Sequence, residues 1–121
     1  ATEWTWLHLW PAETRFWEAA RRTAERPEVH MVLEQAAREL LLAQSSDWQF
    51  IISSETAADY ASKRFVEHLD NLNRLVTALE APTITEEALG RAAELRLVND
   101  VFPDILPSIR LALAGTGALT P

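Results

Sequence analysis

EVHMVLEQAARELLLAQ, Glu28 to Gln44, decides how the rest of this chain reads. Val29, Val32, Leu33, Ala36, Ala37, Leu40 and Leu41 recur at i, i+3, i+4, i+7, i+8, i+11 and i+12, which places one apolar stripe along an α-helix. Glu34, Gln35, Arg38 and Glu39 take the opposite side. Pro27 suits the first turn, where a missing backbone N–H costs nothing. The next stretch, LLLAQSSDWQF from Leu40 to Phe50, brings Ser45, Ser46 and Asp47 ahead of Trp48. It reads as the end of the helix near Gln44 followed by a polar corner. There Asp47 either caps a turn over a core tryptophan or faces a ligand.

Helical patterns extend in both directions from this segment. Upstream, AETRFWEAARRTAE, Ala12 to Glu25, consists of good helix formers. Trp6, Trp10 and Trp17 share its spacing, so a helix starting near Glu3 and kinked at Pro11 sets three indoles on one face. Downstream, Phe65, Leu69, Leu72, Val76 and Leu79 support a helix from Thr56 to Glu80, with Ser53 and Ser54 as cap candidates. Thr85, followed by Glu86 and Glu87, opens a fourth helix that runs to about Val98. Val101 to Ser108 contains two prolines and no helical period, which predicts an extended strap, and Leu111 to Pro121 reads as either a frayed end or the end of a trimmed piece. The expectation is an all-α bundle of about four helices with a C-terminal extended strap, forming one domain over residues 1–121.

Composition narrows the functional classes. A net charge of −7 lacks the basic surface that binds nucleic-acid phosphates, and the cluster Arg21, Arg22 and Arg26 is diluted by Glu18, Glu25 and Glu28. With no cysteine there is neither a disulfide nor a thiolate metal site, which fits a reducing compartment. The apolar runs are too short for a membrane span, and no signal peptide is evident. The absence of an initiator Met suits a fragment of a longer chain. No Glu precedes His8, His30 or His68 by three residues, so the dinuclear carboxylate pattern of metal-binding bundles is missing, and solvated or capping histidines are expected. No metal or other cofactor is expected. With three glycines there is no phosphate cradle and no nucleophile elbow, so no catalytic residue is assigned.

The tryptophans remain. Five in 121 residues is a high number, and four of them lie before Glu18. An indole stacks on the apolar face of a pyranose ring while a nearby carboxylate holds hydroxyls, so tryptophan beside small polar groups suits a carbohydrate cleft. Each tryptophan also reads as a core plug.

ARELLLAQSSDWQF (Ala37 to Phe50), DYASKRFVEHLDNLNRL (Asp59 to Leu75), NDVFPDI (Asn99 to Ile105) and WLHLWPAETRFWEAARR (Trp6 to Arg22) together resemble the C-terminal helical domain of family-57 glycoside hydrolases of the α-1,4-glucan branching enzyme type. The match departs at Val98-Asn99-Asp100, where the family pattern has Arg-Asp-Asn. The resemblance implies part of a cytoplasmic, retaining transglycosylase of glycogen biosynthesis. Its catalytic carboxylates lie in a barrel domain that this chain does not contain, so the chain alone is expected to be inactive. Implied partners are that barrel and an α-glucan such as glycogen, amylose or a malto-oligosaccharide. Implied substrate-binding residues are Trp6, Asp47 and Trp48, with Trp10 and Trp4 added on spacing. The alternative reading is a non-enzymatic helical interaction module whose tryptophans anchor a protein partner.

Overall fold

The computed structural model describes the backbone of residues 3–52 and 55–119, and side chains within residues 4–47 and 59–115. Five helices follow one another: α1 (Glu3–Thr23), α2 (His30–Ile52), α3 (Glu55–Glu80), α4 (Glu86–Val98) and α5 (Ile105–Leu119), with a 3₁₀ turn at Pro27–Val29 leading into α2. The architecture is all-α, as expected. Ser53 and Ser54 lie outside the described residues.

Helix α2 is the centre of the bundle and touches α1, α3, α4 and α5, its longest contact being with α3. Its inward stripe of Val32, Leu33, Ala36, Ala37, Leu40 and Ala43 is buried, and it meets Phe65, Leu72, Leu75, Val76 and Leu79 of α3 in one apolar cluster. From α1 the stripe is Leu9, Ala12, Phe16, Ala19 and Ala20, again at helical spacing. Pro11 lies inside α1, and the helix continues through it. Its side chain is on the exposed face, away from the packed stripe. At the C-terminus of α1 the carbonyl of Ala24, which has no helical donor, accepts from His30 Nε2 at 2.9 Å and from Arg110 at 3.4 Å. His30 therefore has the capping role expected of it.

Thr85 caps α4 as predicted: its hydroxyl accepts from the Ala88 N–H at 3.1 Å, and Glu86 and Glu87 occupy the positive first turn.

Two boundaries differ from the sequence expectation. Helix α2 does not end at Gln44 but runs to Ile52, so Ser45, Ser46, Asp47 and Trp48 form helical turns and not a corner. Serine and aspartate are only weak helix formers, and Ala43 and Ser46, three apart on the inner face, are both buried. Packing of that face overrides the local preference. The strap is also shorter than expected. Only residues 99–104 lie outside helices, and α5 starts at Ile105, with Pro107 in the first turn where proline is tolerated. Ile105 and Ile109, four apart, are buried against the bundle, and this pair is the helical period that the two prolines obscured. Residues 111–119, read from sequence as a frayed end, continue α5.

Candidate functional site

Trp6 and Trp10 are one turn apart on α1, and both remain more than half exposed, at 55% and 58%. Their ring centroids are 5.2 Å apart with the planes tilted by 43°. They open onto a surface groove of about 610 Å³ that is lined by Trp6, Leu7, Trp10, Pro11, Thr14, Arg15 and Glu18. The floor is fixed by Arg15, which donates to Glu80 at 2.7 Å, to Asn73 at 3.3 Å and to Thr77 at 3.3 Å, tying α1 to α3. The Arg15 hydrogen bond holds the Glu80 carboxyl below its usual value. The groove thus combines an aromatic wall with a hydroxyl, a carboxylate and an immobilised guanidinium.

The other two described indoles have different surroundings. Trp17 is partly buried and packs edge-on against Phe16 at 5.0 Å, and Trp4 packs edge-on against Phe65 of α3 at 5.5 Å. Trp17 is therefore not part of the exposed pair, although the spacing had set it on the same face.

Asp47 sits in the last turns of α2 and does not line the groove of Trp6 and Trp10. Its helical position removes the role of turn cap. One of its carboxylate oxygens, Oδ1, is buried and finds no hydrogen-bond partner among the described residues. Trp48 is helical in its backbone, and its side chain lies outside the described residues.

A second constellation, missed from the sequence, occupies the α2–α3 interface. Gln35, Arg38 and Glu39, placed by spacing opposite the apolar stripe, are all buried. Glu39 accepts from His68 Nδ1 at 2.8 Å and Asn71 at 3.1 Å on α3, from Asn99 at 2.9 Å, and from Gln35 at 3.0 Å. Burial pushes the Glu39 carboxyl up, but these four donors outweigh it and hold it below the usual carboxylate value. Arg38 donates through Nε to the Val101 carbonyl at 2.6 Å and through a terminal nitrogen to Gln35 Oε1 at 3.1 Å. Gln35 in turn donates to the Asn99 carbonyl at 3.2 Å. His68 is thus neither solvated nor a cap, because its ring is buried against Glu39. The Arg-Glu of ARELLLAQ, the His of FVEHLDN and the Asn of NDVFPDI meet in one network, and that convergence was the signal available in the sequence. Asn99, where the chain departs from the family pattern, belongs to this network, and Asp100 lies 3.5 Å from Arg96.

Among the described residues no cluster of His, Cys, Asp and Glu suits a metal ion, and no helix is long and apolar enough to cross a membrane.

Residues 8–109 match the family described as "1,4-alpha-glucan branching enzyme, C-terminal". The chain belongs to this family. Its relatives include a 1,4-alpha-glucan branching enzyme of Thermococcus kodakarensis, 43% identical over 79 residues, which are 64% of this chain and 12% of that protein. Another is a probable 1,4-alpha-glucan branching enzyme of Mycobacterium tuberculosis, 44% identical over 50 residues, covering 41% of this chain and 10% of that protein. The branching-enzyme C-terminal chain thus spans about a tenth of the length of these curated relatives. No solved structure matches it. Membership of the branching-enzyme family does not favour the reading as a non-enzymatic interaction module.

Proposed function

We propose that this chain is the helical C-terminal part of a family-57 α-1,4-glucan branching enzyme, in which the outer face of α1 binds the α-glucan. The exposed Trp6–Trp10 pair over its groove carries this reading. Two indoles one helical turn apart, tilted and open to solvent, present apolar faces to successive sugar rings. Thr14 and Glu18 stand beside them to accept or donate to hydroxyls.

Branch formation cuts an α-1,4-glucan and rejoins the fragment through an α-1,6 bond. The acceptor sugar must be held in place while water is kept from the glycosyl-enzyme. A wall of indoles favours both by stacking and by exclusion. The reacting carboxylates belong to the catalytic barrel, against which this domain packs in the reading proposed. Asp47 fits the barrel-facing end of α2 with Trp48. Its buried oxygen has no donor among the described residues, and a sugar hydroxyl or a barrel N–H would supply one. The glucan is glycogen, amylose or a malto-oligosaccharide, and the setting is cytoplasmic glycogen synthesis.

Titrating the chain with maltoheptaose at millimolar concentration should quench or shift its tryptophan emission. Trp6→Ala should weaken the response by about threefold to tenfold, the worth of one stacking contact of roughly 0.5–1.5 kcal/mol. Unchanged emission at saturating sugar removes the glucan role of α1.

A further inference from the structure

The strap between α4 and α5 displays an aromatic ring in a conformation that aromatic residues avoid. Phe102 has φ 53°, and among the described residues it is the non-glycine residue with positive φ. A bulky side chain held there is strained, and the following Pro103 narrows its backbone choice further. Core packing does not repay that strain, because the residue is 54% exposed.

What imposes the conformation is the polar network beneath. Arg38 grips the Val101 carbonyl, Gln35 grips the Asn99 carbonyl, and the Asn99 side chain is bound to Glu39. On the other side the Ile105 N–H closes onto the Phe102 carbonyl at 3.1 Å. The ring therefore projects from a rigid bed. Next to it lies a hollow of about 260 Å³, lined by Leu41, Phe102, Pro103, Asp104, Ile105 and Ser108.

We propose that this hollow is a second α-glucan contact, separate from the α1 groove, with Phe102 as the stacking face and Asp104 and Ser108 as hydroxyl partners. The inference rests on the glucan reading above. Its chemistry repeats in small what suits a sugar ring: an aromatic face, an aliphatic floor, and an exposed carboxylate and hydroxyl at the rim. Its size, below the roughly 300–1,000 Å³ of pockets that enclose drug-sized ligands, suits a sugar ring and not a long segment. An added polypeptide strand fits less well, because the Asn99 and Val101 carbonyls it needs are already taken.

The test is a ¹H–¹⁵N titration of the labelled chain with maltoheptaose, read at two places in one spectrum. Saturable shifts are expected at the amides around Phe102 and Ser108, in addition to the indole signals of Trp6 and Trp10. Phe102→Gly relieves the backbone strain, so the fold is kept; it should abolish the strap shifts and leave the indole response intact. Asp104→Ala should weaken the strap response by about tenfold, equivalent to roughly 1.4 kcal/mol. Indoles that respond while the strap stays silent overturn the second contact alone, as do strap shifts that persist unchanged in Phe102→Gly. Silence at both places overturns the glucan reading and the inference with it.

Discussion

The outer face of α1 and the interface between α2 and α3 both carry family motif residues, yet they arrange them in opposite ways. On α1, two large aromatic rings are left in solvent over a floor of polar groups. At the α2–α3 interface, the buried carboxylate, guanidinium, imidazole and amide of Glu39, Arg38, His68 and Gln35 are bonded to one another and to the half-buried amides of Asn71 and Asn99. Exposed apolar surface and buried polar surface are both unfavourable when left unmatched, and each is compensated differently. The interior is compensated within the chain, by hydrogen bonds that can be named. The α1 face has no such compensation among the described residues, and the proposed glucan role of that face rests on this asymmetry.

The comparison is broken most directly at Glu39. Glu39→Ala leaves His68, Asn71, Asn99 and Gln35 without their shared acceptor, and Asn99 loses its side-chain tie to α2. A loss of about 3–5 kcal/mol is expected in denaturant unfolding, the usual cost of removing one partner from a buried charged set. A loss under about 1 kcal/mol would show the interior to be as tolerant as the surface, and the contrast would fail.

A smaller effect follows from acid. The Glu39 carboxyl is held below its usual value in the folded chain, so between its unfolded value, about 4.3, and that lower folded value the unfolded state binds more protons. Its contribution to stability is thus complete above the unfolded value and is lost as pH falls through the folded one. Glu28 and Glu80 are also lowered, but both are surface groups paired with arginines. Melting curves from pH 7 down to pH 3 should therefore fall less steeply in Glu39→Gln than in the parent chain. Equal slopes in the two proteins would remove Glu39 as the acid-sensitive tie.

The sequence made the helices legible where a stripe of apolar residues ran without interruption, as in α2 from Val32 to Leu40 and α3 from Phe65 to Leu79. It failed where a local signal competed with packing. Ser45, Ser46 and Asp47 look like a cap, but the buried Ala43 and Ser46 keep α2 helical past them. Pro103 and Pro107 look alike as breakers, yet only Pro103 lies in the strap, while Pro107 sits in the first turn of α5. The network was hidden for a related reason. Helical periodicity separates polar from apolar positions but does not report that a second layer, here the strap and α3, covers the polar side of α2. Of the expected site, the exposure of Trp6 and Trp10 was not legible, because Trp4 and Trp17 share the same crowded stretch and yet pack against Phe65 and Phe16. Asp47 and Trp48, by contrast, were given a corner that does not exist.

The smallest stability change is expected on α1. Replacing Trp6 and Trp10 together by alanine removes the contact between the two rings, but both residues are already more than half exposed. Alanine is also the better helix former, which offsets part of the lost packing. The double variant should unfold within about 1 kcal/mol of the parent, in the range of surface substitutions, while sugar binding at the α1 groove, read at the amides of Thr14 and Arg15, disappears. Stability and binding would then separate on this face and move together at Glu39, because the network holds the strap that presents Phe102. A double variant that loses several kcal/mol would instead make the indoles part of the packing, and the argument that their exposure serves a ligand would no longer hold.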